Sequence, residues 1–473
     1  MNTMPTHCRA SHHHPSERFR FHSLMLLGLS LSLALPATYA LPSFARQMNV
    51  QCIECHTAFP MLNQYGRNFK LSGYTSSADD SMLPPLAVML MPSFTHTAVA
   101  QAGGAAPGFS DNNNTAMTQA SIFYAGRLFG PYAKSMFSPD TASFLNKFGI
   151  FAQVTYDGIG KAWSWDNTEL RYSDKTEIRE KDVTYGFYLN NNPTLQDPWN
   201  SSPAFGFPFS GSGLAPSPAA GTLIDGGLAQ QVAGAGAYAL IDDHLYIDVA
   251  GYSTLPVRLQ KRLGVDPTGE TQISGTAPYW RIAYEKPVGQ GRWEVGTFGL
   301  SADTYPGRDS SEGHDHFTDI GVDTQYQLAT EKGDFALMGS WIHENQRWGA
   351  SNALGNTANA SAQINTMKLT ASYLHDKTYG LTVQHFWISG GKDEVLYSGS
   401  ATGSPTSDGF IVQADWMPLN KKTGPAFWPR SNIKLTVQYT YYTRFDGART
   451  NYDGAGANAS DNNTLYLEAW IVF

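Results

Sequence analysis

Cys52-Ile53-Glu54-Cys55-His56 brings together residue types and a spacing that do covalent chemistry. Two thiols separated by two residues, with an imidazole directly after them, match the edge of a porphyrin: each thiol adds to a vinyl group and the imidazole reaches the iron. The motif assigns one covalent haem c, attached through Cys52 and Cys55, with His56 as an axial ligand. Two other uses of paired cysteines fit less well. A thioredoxin-like redox pair needs a βαβ setting, which this Pro- and Gly-flanked segment lacks, and a zinc site lacks its second pair of ligands downstream.

A haem needs walls, a second ligand and partners for its carboxylates. The stretch Phe59 to Leu71 begins at a proline and has helix-like apolar spacing, which predicts a short helix with Leu62, Tyr65 and Phe69 turned to the porphyrin. Arg46, Arg67 and Lys70 are candidates for the haem propionates, because a cation beside a buried carboxylate offsets part of its desolvation; solvated surface charge is the plain alternative for each. In Pro85 to Pro92, Leu86, Val88 and Leu90 share one face, which turns Met89 and Met91 to the other. Met89 is the candidate sixth ligand, with Met48, Met61 and His96 as rivals and plain packing the alternative for each methionine.

The first residues carry the parts of an export signal: Arg9, Arg18 and Arg20, an apolar run from Leu24 to Leu35, and small residues around Ala40. That run falls short of the roughly 20 apolar residues of a bilayer span, so residues 1–40 are expected to be a cleaved signal peptide. Cys8 and the His12–His14 run lie inside it. Without Arg9, Arg18, Arg20 and Glu17, the 32 basic and 40 acidic residues become 29 and 39, a net charge of −10. Such a chain has no basic surface for nucleic acid. Residues 41–84 are too few to bury a haem with their own core, so another element must complete the pocket.

Pro42-Ser43-Phe44-Ala45-Arg46-Gln47, the haem motif, and then Pro60, Leu62, Gly66, Arg67, Phe69 and Lys70 resemble the haem-bearing start of the fused outer-membrane cytochrome-porins of iron-oxidising bacteria. The detailed resemblance covers roughly thirty residues, a short but specific stretch. One departure is Met48-Asn49, where Thr-Gly is more familiar. The resemblance implies a small monohaem domain that plugs a porin-like barrel, takes electrons from extracellular Fe(II) and passes them to a periplasmic c-type cytochrome or another soluble carrier.

Residues 85–473 supply the barrel. Strand after strand alternates apolar and polar faces, and no segment is long and apolar enough for a membrane helix. In the last strand Leu465, Leu467, Ala469, Ile471 and Phe473 oppose Tyr466, Glu468 and Trp470, and the chain ends on an aromatic residue, as outer-membrane barrels do. Ile433 to Arg444 alternates likewise, with charge on the inner face. About sixteen segments begin near residues 86, 117, 144, 167, 182, 230, 244, 278, 291, 315, 334, 365, 379, 408, 432 and 463. With both termini periplasmic, stretches such as 98–116, 191–229 and 254–277 become outer loops, while long connections near 130–143 and 418–431 break that rule. Ala233, Ala235, Ala237 and Ala239 are expected to face inward, leaving room for a plug. The loop Asp309 to His316 clusters oxygen and imidazole groups suited to divalent iron.

The expected fold is thus all-β: a transmembrane antiparallel barrel of about sixteen strands whose lumen holds a small c-type haem domain made of a short helix and loops. The expected function is an outer-membrane electron conduit that oxidises extracellular Fe(II), with surface loops outside and lipid around the wall. A haem-bearing diffusion porin, or a conduit exporting electrons to another acceptor, are the alternatives.

Overall fold

Alternating side chains stand on opposite faces of a strand, and here the alternating segments close into one cylinder. The computed structural model describes residues 42–57, 59–77, 85–265, 272–420 and 431–473; the expected signal peptide lies outside them. The strands are β1 (Leu86–Thr97), β2 (Asn114–Arg127), β3 (Phe148–Asp157), β4 (Ala162–Ile178), β5 (Lys181–Asn190), β6 (Val232–Ile241), β7 (Leu245–Thr254), β8 (Ala277–Val288), β9 (Gly291–Thr304), β10 (Asp315–Ala329), β11 (Gly333–Arg347), β12 (Ser361–His375), β13 (Tyr379–Gly390), β14 (Ser407–Trp416), β15 (Asn432–Arg444) and β16 (Thr464–Val472). Each pairs antiparallel with its neighbours in sequence, and β1 seals against β16, with Met89 opposite Val472. Closure leaves no unpaired edge. All sixteen expected segments are present, their starts matching to within about five residues. The long connection after β2 holds two short helices, Ala133–Met136 and Pro139–Leu145, and does not disturb the count.

The barrel is apolar outside and polar within. On β7, Ile247 and Val249 point outward and are exposed, while Tyr246, Asp248 and Tyr252 point inward and are buried. Val249, Leu337 and Val437 are more than half exposed on the outer wall, whereas Arg171 and Arg281 inside are fully buried at 0 %. A wall of exposed branched aliphatics has a large unfavourable free energy in water and none in hydrocarbon, so this is the wall of a membrane-spanning barrel. Arg444, expected on the inner face, instead sits exposed near the strand end, paired with Asp408 at 2.9 Å.

The alanines of β6 correct another expectation. Ala233 and Ala235 are exposed on the outer face, and Val232, Gly234, Tyr238 and Leu240 face inward. The inward glycines make room for rings: a Cβ on Gly234 would lie 2.2 Å from Tyr252, and one on Gly236 would lie 2.3 Å from Tyr188. Alanine has too weak a preference to set register, so the bulky Tyr238 decides which face is inside.

Two segments lie inside the barrel. The first contains helix α1 (Pro42–Met48), the turn Cys52–Glu54 and helix α2 (Gln64–Leu71). The carbonyls ending α2 have no partner within the helix, and the wall supplies donors: Arg171 to Lys70 O at 3.1 Å, Ser173 to Leu71 O at 2.8 Å and Tyr238 to Leu71 O at 2.5 Å. The second segment is the connection 191–231. It was expected outside as a loop; it folds into the barrel instead, where residues 192–200 are buried throughout. Trp199 Nε1 donates to Glu285 at 2.6 Å, Ser210 Oγ to Glu468 at 3.0 Å, and Ile224 N to Asp319 at 3.0 Å.

Candidate functional site

Asn63 organises the cysteine loop on α2. Its side chain caps the helix by accepting from Gly66 N at 3.0 Å and donates to Glu54 O at 2.8 Å, while its backbone N donates to Cys55 O at 3.0 Å. The helix lies so close to the loop that a Cβ on Gly66 would stand 2.3 Å from Cys55 O. Glycine is the residue that permits this contact.

The loop opens on a cavity of about 410 Å³, within the roughly 300–1,000 Å³ of small-molecule and cofactor pockets. Cys52, Cys55 and His56 line it from the loop and Phe69 and Lys70 from α2. The far side comes from elsewhere: Met89, Phe123, Phe151 and Trp470 from the barrel wall, and Phe205 and Phe209 from the lumen segment. The short N-terminal domain therefore borrows most of its pocket, as its length requires.

A c-type haem requires two thiols and an oriented imidazole. Both cysteines are free thiols, and burial pushes each up to about 12; they are held neutral, unlike the acidic thiolate of a redox dithiol. His56 Nδ1 lies 2.9 Å from Pro60 O. A carbonyl only accepts, so Nδ1 carries the proton and Nε2 keeps its lone pair for a metal. Burial pushes the imidazole down to about 4, which keeps it neutral at ordinary pH, as ligation requires. Aromatic walls, two neutral thiols and an oriented imidazole fit the group.

The other expected residues divide. Met89 is buried on β1 and lines the cavity. Met61 packs with Phe207, Met338 and Ile411 instead, and His96 Nδ1 contacts Asn113 at 2.9 Å, outside the cavity lining. Tyr65 is 44 % exposed and turns away, so the helical face on the cavity is Gly66, Phe69 and Lys70, with Leu62 just ahead of the helix. Arg67 is buried against the wall, with Glu285 at 2.7 Å and Gln327 at 2.7 Å, which makes it a docking residue. Lys70 donates to the carbonyls of Leu195 at 2.6 Å and Asp197 at 2.8 Å, and burial lowers its ammonium to about 8. Arg46 donates to Leu86 O. In the 309–316 loop, His314 and His316 both approach Asp303, at 3.5 and 2.6 Å, while Asp315 turns inward to Ser351 at 2.5 Å. Among the described residues no group of three or more His, Cys, Asp and Glu is arranged to hold a metal ion.

Sequence reading missed the lumen segment as a pocket wall. Its signal was there in Trp199, Phe205, Phe207 and Phe209, an aromatic load unsuited to a solvated loop.

No protein-family model and no curated protein matches the chain. Among solved structures, the chain is similar to the anion-selective porin from Comamonas acidovorans (11 % identity, TM-score 0.43, covering 82 % of this chain and 98 % of that one). It is similar also to the outer membrane channel DcaP of Acinetobacter baumannii (8 % identity, TM-score 0.42, 82 % and 96 % covered). A third is the in-vitro folded outer membrane protein OmpT of Vibrio cholerae (9 % identity, TM-score 0.40, 82 % and 96 % covered).

Proposed function

We propose that this chain is a single-haem electron conduit set in a porin-like barrel of the outer membrane. It takes electrons from extracellular Fe(II) and hands them to a periplasmic c-type cytochrome or another soluble carrier. The observation that carries the reading is His56: its Nδ1 is committed to Pro60 O, its ring is neutral, and it shares one aromatic cavity with two free thiols and Met89. Bound there, haem supplies reversible one-electron chemistry; each Fe(II) oxidised to Fe(III) releases the one electron that the soluble carrier accepts.

The chain's own residues hold and insulate. Phe44, Phe69, Phe123 and Phe151 exclude water from the cavity, and Asn63 and Pro60 set the imidazole's place. The 191–231 segment, anchored inside the barrel to several walls at once, supports a conduit over a diffusion porin.

The test is to add Fe(II) to the purified protein at the pH of its host and follow the haem absorption bands. Reduction is expected; its failure removes Fe(II) as donor and leaves the haem assignment intact. A thioether opposite the imidazole raises the potential. Met89→Leu, which keeps the volume, is expected to lower the midpoint potential by on the order of 100 mV and to change the spin-state bands. An unmoved spectrum clears Met89 of ligation.

A further inference from the structure

Two buried donors, one on a residue that lines the cavity and one on the residue paired with it, have no hydrogen-bond partner. Trp470 lines the cavity and stands edge-on to Phe59 at 5.1 Å, which stands edge-on to His56 at 5.0 Å. Its indole Nε1–H is buried and has no hydrogen-bond partner. Directly opposite it across the β15–β16 pair is Lys434. That side chain is 3 % exposed, its Nζ has no hydrogen-bond partner, and it lies 4.5 Å from the Trp470 ring centre. The acid on the same face, Glu468, accepts from Ser210 Oγ at 3.0 Å and Tyr466 OH at 2.7 Å, and it attracts the Lys434 charge without a hydrogen bond to it.

The Trp470 ring and the Glu468 carboxylate meet the charge of Lys434, but a buried N–H without an acceptor is unfavourable on an indole and on an ammonium alike. Such groups are rare in proteins and call for a ligand. Here one comes from each of two adjacent strands, and the ligand that satisfies both is a carboxylate. The cations first expected to serve in that role have other work: Arg67 is taken by Glu285 and Gln327, and Lys70 by two carbonyls.

We propose that Trp470 Nε1 and Lys434 Nζ form a clamp for a haem propionate on the β15–β16 wall. The proposal rests on the haem reading above. The clamp has an electrical consequence: a cation beside the propionate offsets its negative charge and so favours the reduced, less positive haem iron.

The experiment is a redox titration of the intact, haem-loaded barrel with Lys434→Met, Lys434→Arg and Trp470→Phe, with covalent haem counted by mass and barrel closure read from heat-modifiable gel migration. Lys434→Met is expected to shift the oxidised-to-reduced ratio about tenfold toward oxidised, 59 mV for one electron. Trp470→Phe should move it less in the same direction, and Lys434→Arg should restore it. Unchanged potentials in Lys434→Met and Trp470→Phe, with full haem and closed barrels, overturn the clamp and leave the haem reading standing. If Lys434→Met does not close, Trp470→Phe decides alone. Absence of covalent haem from the unaltered protein strikes the underlying reading instead.

Discussion

Cys52→Ser combined with Cys55→Ser yields a folded barrel without covalent haem. Serine is close to cysteine in volume, and Cys52 is buried while Cys55 is partly so. The change therefore removes two sulfur nucleophiles while adding a small burial cost of about 1 kcal/mol for each hydroxyl. The rest of the anchoring is untouched: Asn63 still caps α2, and Arg67 still reaches Glu285. Haem staining after denaturing electrophoresis reads the result, with intact mass as the second measurement. Each single variant should keep one thioether and stain more weakly. Staining of the double variant equal to that of the parent would place attachment elsewhere.

The second large effect is expected at Arg281. This fully buried guanidinium stands among three carboxylates: Asp323 at 2.7 and 2.9 Å, Glu294 at 3.1 Å, and Asp197 of the lumen segment at 3.3 Å. It also lies over the Trp199 ring at 5.4 Å. Arg281→Met leaves those carboxylates with no cation in their midst. Breaking a buried pair in this way costs about 3–5 kcal/mol; part returns if the carboxylates take up protons or water. The side that can relax is the 191–231 segment, because Asp323 and Glu294 are fixed in strands. The expected outcome is a barrel that still inserts, melts at lower temperature and conducts ions in planar bilayers well above the parent. Arg281→Lys should fall between them, since an ammonium lacks the forked geometry that grips Asp323. Parent-like conductance together with parent-like melting in Arg281→Met would show that the segment is held by its other contacts.

How far the sequence reached depends on the strength of the local signal. Strands such as β15 and β16 place bulky apolar residues on one side and hydrogen-bonding groups on the other, and there the reading and the structure agree. On β6 the alternating residues are alanine and glycine, whose transfer free energies hardly differ, and the inside was assigned to the wrong face. The Cys-x-x-Cys-His spacing is compact and local, so Cys52, Cys55 and His56 stand out as candidates from the chain alone, and the structure places all three on one cavity. The partners of Arg67 and Lys70 were not, because Glu285, Gln327 and Leu195 lie far along the chain. Only closure of the cylinder brings them near. The lumen segment was missed for a related reason: its length and its place after an odd-numbered strand suggested an outer loop, and its aromatic residues had no visible partner until the pocket existed.

The seam between β1 and β16 joins the two ends of the chain, and each contributes to the same chamber: Met89 from the first staves, Trp470 and Val472 from the last. The chamber's far wall is consequently in place only once the first and last strands have paired. A cylinder still open at that seam possesses the cysteine loop yet lacks the panel across from it. Enclosure is thereby coupled to zipping: the chamber is sheltered only in a barrel that has shut.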